Sequence, residues 1–341
     1  MSWPTYVLVT GATGFIGAHV VDSLLSRGLR VRGATRSAAK GDVMLAARPA
    51  TANRLDFVEI DDFGSHSVDL SPALAGGIDA VIHVASPFTY DTENNEDELI
   101  IPAINGVKAI LGAAARSKTV KRVVITSSFA AVLDADRKAP PYFTYTADDW
   151  NPLTYTEAAA AETSAVVAYR GSKKFAELAA WEFVNNHNKP GFDIVTLCPP
   201  MTFGPVVHPV TSPVQLNDSN AQLWKVAIAN KKGGSLPVAR VPFWIDVRDL
   251  AEAHAQALLK PEAGGKRYIP AAPERFSYGL AGDIIRAEFP EFADIKRKRE
   301  RQTIDKSHGV DGFTVSRELG IRYRSFRETV VDLVRQVAAM R

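Results

Sequence analysis

Tyr169 and Lys173 stand four residues apart in AYRGSKKFAE, and no other Tyr-x-x-x-Lys occurs in the chain. On a helix this spacing puts both side chains on one face. A phenol with an ordinary pKa of about 10 exchanges protons poorly at neutral pH until a nearby cation favours its phenolate. Lys173 supplies that cation. The pair therefore suits proton donation to a carbonyl oxygen while hydride arrives at the carbon. Earlier, RVVITSS closes an apolar run with Ser127 and Ser128. A hydroxyl at such a strand end can hydrogen-bond the same oxygen and polarise the carbonyl. From the residues alone, either serine would serve.

Such a site needs a hydride source, and the start of the chain provides for one. Tyr6–Thr10 fits a buried strand, Gly11, Gly14 and Gly17 form a turn, and a helical pattern opens at Phe15. Gly11 allows the tight turn, Gly14 the approach of a pyrophosphate, and Gly17 close packing of helix on strand. The helix N-terminus then offers free N–H groups to the phosphates. The second strand ends in Arg36, where NAD enzymes carry an acid for the ribose hydroxyls, and Lys40 follows. No Asp or Glu lies between Val31 and Gly41. A guanidinium fork with an added ammonium suits a 2′-phosphate, so the expected cofactor is NADPH/NADP+. Asp61 or Asp62, closing the third strand, can accept from the adenine amino group, or one can cap the next helix.

Apolar runs at 29–35, 55–60, 80–85, 122–126 and 193–197 alternate with helical patterns at 15–27, 37–47, 96–115 and 166–186. This alternation predicts an α/β fold, a doubly wound parallel sheet of the Rossmann type with ligands at the carboxyl ends of its strands. Prolines at 199, 200, 205, 209 and 213 break the pattern. We expect 1–199 and 241–260 to form the dinucleotide domain, and 200–240 and 261–341 a smaller, discontinuous substrate lobe. At 341 residues and 46% hydrophobic, the chain can build a core of that size. A net charge of +2 without a strongly basic domain argues against a nucleic-acid partner. The single Cys198 excludes an internal disulfide and a cysteine metal cluster; it reads as a packing position. The seven histidines show no metal-ligand spacing, and His83 reads as a core residue. No run of 18 apolar residues or signal-like stretch is seen, so the expected setting is cytoplasmic, without a membrane.

The chain resembles the extended short-chain dehydrogenase/reductase family in TGATGFIG (10–17), HVAS (83–86), the serine strand end, Tyr169–Lys173 and WIDVRDLAEAH (244–254). ASPF (85–88), IPAINGVKAIL (101–111), DDWNP (148–152), YRGSKKFAELAAWEF (169–183) and FGP (203–205) are similar to its fungal NADPH-dependent aldehyde and ketone reductases. That subgroup includes the methylglyoxal reductase type; dihydroflavonol 4-reductases are more distant. The resemblance implies that Ser128 binds the carbonyl oxygen, Tyr169 donates the proton and Lys173 holds the nicotinamide ribose. It implies that Asn105 helps order a relay water, and that Arg36 and Lys40 hold the 2′-phosphate. Gly11, Thr13, Gly14, Phe15, Ile16, Gly17, Ala85, Ser86, Thr126, Pro199 and Thr202 would border the cofactor.

Phe88, Phe129, Val166, Met201 and Trp224 are candidates for the wall of a substrate pocket, although each could be plain core, Met201 and Trp224 as readily as wall. As a wall they suit alkyl or aryl aldehydes and ketones better than charged sugars. Two rivals use similar parts. Nucleotide-sugar epimerases and dehydratases share the Tyr and Lys, but usually hold NAD, and dehydratases carry an acid pair where this chain has Phe129-Ala130-Ala131. A non-catalytic NADP-sensing protein would typically have lost the tyrosine. The expected partner is a small carbonyl compound, and the expected assembly a monomer or homodimer.

Overall fold

The computed structural model describes residues 3–61, 63–65, 68–86, 92–138, 142–186, 190–232, 235–239, 241–293 and 302–340. Its strands are β1 (Tyr6–Thr10), β2 (Arg30–Thr35), β3 (Leu55–Glu59), β4 (Ala80–His83), β5 (Arg122–Thr126), β6 (Phe143–Tyr145), β7 (Asp193–Leu197), β8 (Met201–Phe203), β9 (Trp244–Asp246), β10 (Arg267–Tyr268) and β11 (His308–Val310). Its helices are α1 (Phe15–Ser26), α2 (Ala38–Ala46), α3 (Ser71–Leu74), α4 (Ile101–Arg116), α5 (Tyr155–Ala159), α6 (Ala165–Asn186), α7 (Asp218–Lys232), α8 (Val247–Leu259), α9 (Tyr278–Glu288), α10 (Phe313–Leu319) and α11 (Phe326–Ala338).

Seven strands form one parallel sheet in the order β10-β7-β5-β4-β1-β2-β3. This is the doubly wound sheet expected from the alternation, and its order reverses between β1 and β4. A crevice opens at such a switch point, outside the carboxyl ends of the strands. β1 is buried along its whole length because helices cover both faces. Val7 and Val9 pack with α1 and α8, while Tyr6 and Leu8 pack with α4 and α6.

The chain returns to the sheet further than expected. α8 packs on α1, and β10 pairs with β7 beyond the boundary expected at residue 260. The short pairs β8–β9 and β11–β6 lie outside the main sheet. A separate core unites Phe203, Leu223, Trp244, Phe276 and Phe326 with the inner faces of α7, α9 and α11. Among the described residues, Glu96–Arg116 is long and apolar enough to cross a membrane, but half of its apolar stretch is buried. Its apolar face, including Val107, Ile110 and Leu111, packs in the core shared with α6.

Candidate active site

β1 delivers the chain into the glycine turn. Gly11 takes φ +65°, a conformation glycine adopts at little cost, and its carbonyl accepts from Gly14 N at 3.0 Å. A Cβ on Gly17 would come within 2.1 Å of that same carbonyl, so α1 can start this close to the strand only with glycine there. Thr10 Oγ1 accepts from Val84 N (3.1 Å) and Ala85 N (3.0 Å), tying the end of β4 to the turn. His83 Nδ1 lies 2.9 Å from the same hydroxyl. Burial, with the charge of Lys173, pushes the His83 pKa down to about 4, so it is a neutral core residue.

A cavity of about 780 Å³ opens over this turn. Gly11, Thr13, Gly14, Phe15, Ile16 and Gly17 line it, as do Arg36, Lys40, Ala85 and Ser86. Thr13 Oγ1 and Thr35 Oγ1 share a hydrogen bond of 3.1 Å across the β1–β2 ends. Arg36 and Lys40 are exposed, and neither forms an ion pair among the described residues. Pro199, Met201 and Thr202 border the same cavity from the end of β7 and from β8, and Ser128, Phe129, Val166 and Tyr169 close it. A phosphate-bearing dinucleotide fits this donor set: a turn in which Gly11, Gly14 and Gly17 carry no Cβ, a helix N-terminus, and two cations placed beyond it.

Of the adjacent serines, Ser128 faces the cavity, whereas Ser127 Oγ donates to buried Glu177 Oε2 at 2.7 Å. Ser128 caps the short turn 129–131: its Oγ accepts from Ala130 N at 3.1 Å, leaving its proton to be donated. Tyr169 and Lys173 lie on one face of α6, with Lys173 Nζ 5.4 Å from the centre of the tyrosine ring. Lys173 is buried and donates to Ser86 Oγ at 2.6 Å; burial lowers its pKa to about 8. Cys198 is fully buried, and burial pushes its thiol well up, as suits packing and not nucleophilic attack.

Several expected site residues lie elsewhere. Trp224 is 8% exposed and packs edge-on against Phe292 in the C-terminal core, away from the cavity lining. On that side of α7 Phe292 also meets Lys231, while α9 packs at Val226 and Asn230. Thr126 still belongs to β5, and its hydroxyl pairs with His254 Nε2 (2.7 Å) on the α8 side of the sheet. Asn105 does not reach the cavity lining; its amide donates to Gly64 O at 3.3 Å, and Gly64 lines the cavity instead. Asp61 is exposed and off the lining. Asp62 and Phe88 fall outside the described residues.

Other lining residues escaped the sequence reading. Asn217, Asp218 and Ser219, at the start of α7, reach the cavity, and Ser219 Oγ donates to Thr202 O. Arg170, Leu133 and Val241 also line the wall. Asn-Asp-Ser signals a helix start after a broken loop; nothing local aims it at a turn some two hundred residues earlier. Arg170 had a signal, its place beside Tyr169.

Comparison with known proteins agrees with this geometry. The sequence pattern of the NAD dependent epimerase/dehydratase family matches residues 7–269. The ketoreductase azaE of Aspergillus niger is 36% identical over 337 residues, covering 96% of each chain. The NADPH-dependent methylglyoxal reductase GRE2 of Saccharomyces cerevisiae is 33% identical over 352 residues, covering 97% of each. The crystal structure of yeast methylglyoxal/isovaleraldehyde reductase Gre2 complexed with NADPH superposes with a TM-score of 0.86 at 31% identity, covering 98% of both chains. Sheet order, glycine turn and sequence similarity agree, and the chain belongs to the NAD dependent epimerase/dehydratase family, the extended short-chain dehydrogenases/reductases.

Proposed function

We propose that this protein is an NADPH-dependent carbonyl reductase acting on small aldehydes and ketones with apolar substituents. One observation carries the reading: a single cavity has Ser128 and Tyr169 in its wall together with the glycine turn, Arg36 and Lys40. When bound, the reduced nicotinamide supplies the hydride. The chain's own residues do the rest. The glycine turn and the α1 N-terminus bind the phosphates, and Arg36 and Lys40 select the 2′-phosphate. Ser128 donates to the carbonyl oxygen and polarises it, and Tyr169 gives that oxygen its proton. Lys173, in its charged form, favours the phenolate and so makes the phenol a better acid. Phe129, Leu133, Val166, Met201 and Val241 exclude water and receive the apolar part of the substrate.

Phe129-Ala130-Ala131 offers no acid pair of the dehydratase kind, and Arg36 and Lys40 suit NADP better than the NAD of epimerases. Retention of both Tyr169 and Lys173 speaks for turnover over cofactor sensing. We place the enzyme in the cytoplasm, as a monomer or homodimer.

The test is NADPH oxidation over a panel of aldehydes, diketones and aryl ketones, with NADH in parallel, for the wild type and Tyr169→Phe. The wild type should oxidise NADPH with several of them. Tyr169→Phe should lose about 10²–10⁴-fold in turnover while binding NADPH as before. A fully active variant would reject the proton-donor role.

A further inference from the structure

Behind the cavity, and off its lining, lies a buried carboxylate. Glu177 is two helical turns beyond Tyr169 on α6, in the i, i+4, i+8 series with Lys173, and its side chain is 1% exposed. Glu177 Oε2 accepts from Ser127 Oγ at 2.7 Å. Arg267, on β10, grips the same carboxylate through Nε (2.8 Å to Oε1) and Nη2 (3.2 Å to Oε2). Cys198 Sγ, one residue before Pro199, is 3.4 Å from Oε2. The guanidinium is itself held: it lies 3.8 Å above the Trp150 ring, and Nη1 donates to Ala147 O (2.8 Å) and Asp149 O.

Three walls of the cavity therefore meet at one side chain: the end of β5, the end of β7, and α6. Consecutive residues in extended chain point to opposite sides. Holding Ser127 inward on Glu177 consequently turns Ser128 outward, toward Tyr169. Apolar residues could fill this space without the desolvation cost of a buried ion pair. They would not choose between two neighbouring hydroxyls.

We propose that Glu177, clamped by Arg267, is a positioning residue that holds Ser127 inward and thereby presents Ser128 to the carbonyl oxygen at a set distance from Tyr169. This rests on Ser128 and Tyr169 acting as the proposed function assigns them. Glu177 touches neither substrate nor cofactor, and its effect passes entirely through Ser127 and the strand end.

The experiment compares Ser127→Ala, Glu177→Gln and the double variant with the wild type, reading kcat, KM, NADPH affinity and thermal unfolding separately, with Tyr169→Phe in parallel. Ser127→Ala removes one hydroxyl and keeps the fold even where Glu177→Gln does not. We expect Ser127→Ala to lower kcat about tenfold to a hundredfold, with KM and NADPH affinity within about twofold of wild type. The double variant should fall no further than Glu177→Gln alone, because both changes break one linkage. Full kcat in Ser127→Ala, or a loss that merely tracks melting and NADPH affinity, would overturn the proposal. An active Tyr169→Phe would instead overturn the assignment beneath it, so the two failures are separable.

Discussion

Lys173 Nζ lies 5.4 Å from the centre of the Tyr169 ring, and its nearest hydrogen-bond acceptor is Ser86 Oγ at 2.6 Å. The amine is thus held under the phenol in a buried setting that lowers its pKa from the ordinary 10.5 to about 8. Burial disfavours the charged amine, so charge at this position is maintained against stability. Electrostatic strain of this kind is common where a side chain serves chemistry.

The sign of the resulting pH dependence follows from linkage. Between pH 8 and 10.5 the folded protein has lost a proton that the unfolded chain keeps. From this group, stability rises with pH across that window, and the cost is fully present below pH 8. Lys173→Met should therefore stabilise the protein at pH 7 by about 1–3 kcal/mol while abolishing most turnover. The gain should shrink by pH 10. Denaturant unfolding at the two pH values checks this, and a gain that grew with pH would contradict it.

Arg36 and Lys40 are exposed cations at one side of a cavity whose other lining is largely uncharged. Arg36→Glu should weaken NADPH binding by about a hundredfold and NADH by less than about threefold, since only the former carries the 2′-phosphate. Titration of intrinsic fluorescence with each cofactor reads the two affinities. Equal losses would place the 2′-phosphate elsewhere.

Trp224 and Met201 looked alike in the sequence, and the fold separates them. Trp224→Ala should destabilise by about 3–5 kcal/mol and leave the ranking of carbonyl substrates unchanged, because the ring fills core against Phe292. Val166→Ala and Met201→Ala should change that ranking with a small effect on melting, since both side chains are only partly buried and line the cavity. Relative kcat/KM over a ketone panel, with melting temperatures, distinguishes the two groups.

Chemistry contained within a turn or two of chain could be read from the sequence. Gly11, Gly14 and Gly17 answer to a local steric demand, and Tyr169 and Lys173 share a face because a helix repeats every 3.6 residues. The alternation of strands and helices likewise specified the parallel sheet, since each strand needs apolar residues on both faces. Tertiary structure decided between neighbours of the same type. Ser128 faces the cavity while its neighbour Ser127 finds Glu177, 50 positions further on, which Arg267, 140 positions on, holds in turn. Thr126 turned to His254, Asn105 to Gly64, and Trp224 to Phe292 for the same reason. A hydroxyl, an amide or an indole goes to the partner that satisfies it, and that partner is brought near only when distant segments pack.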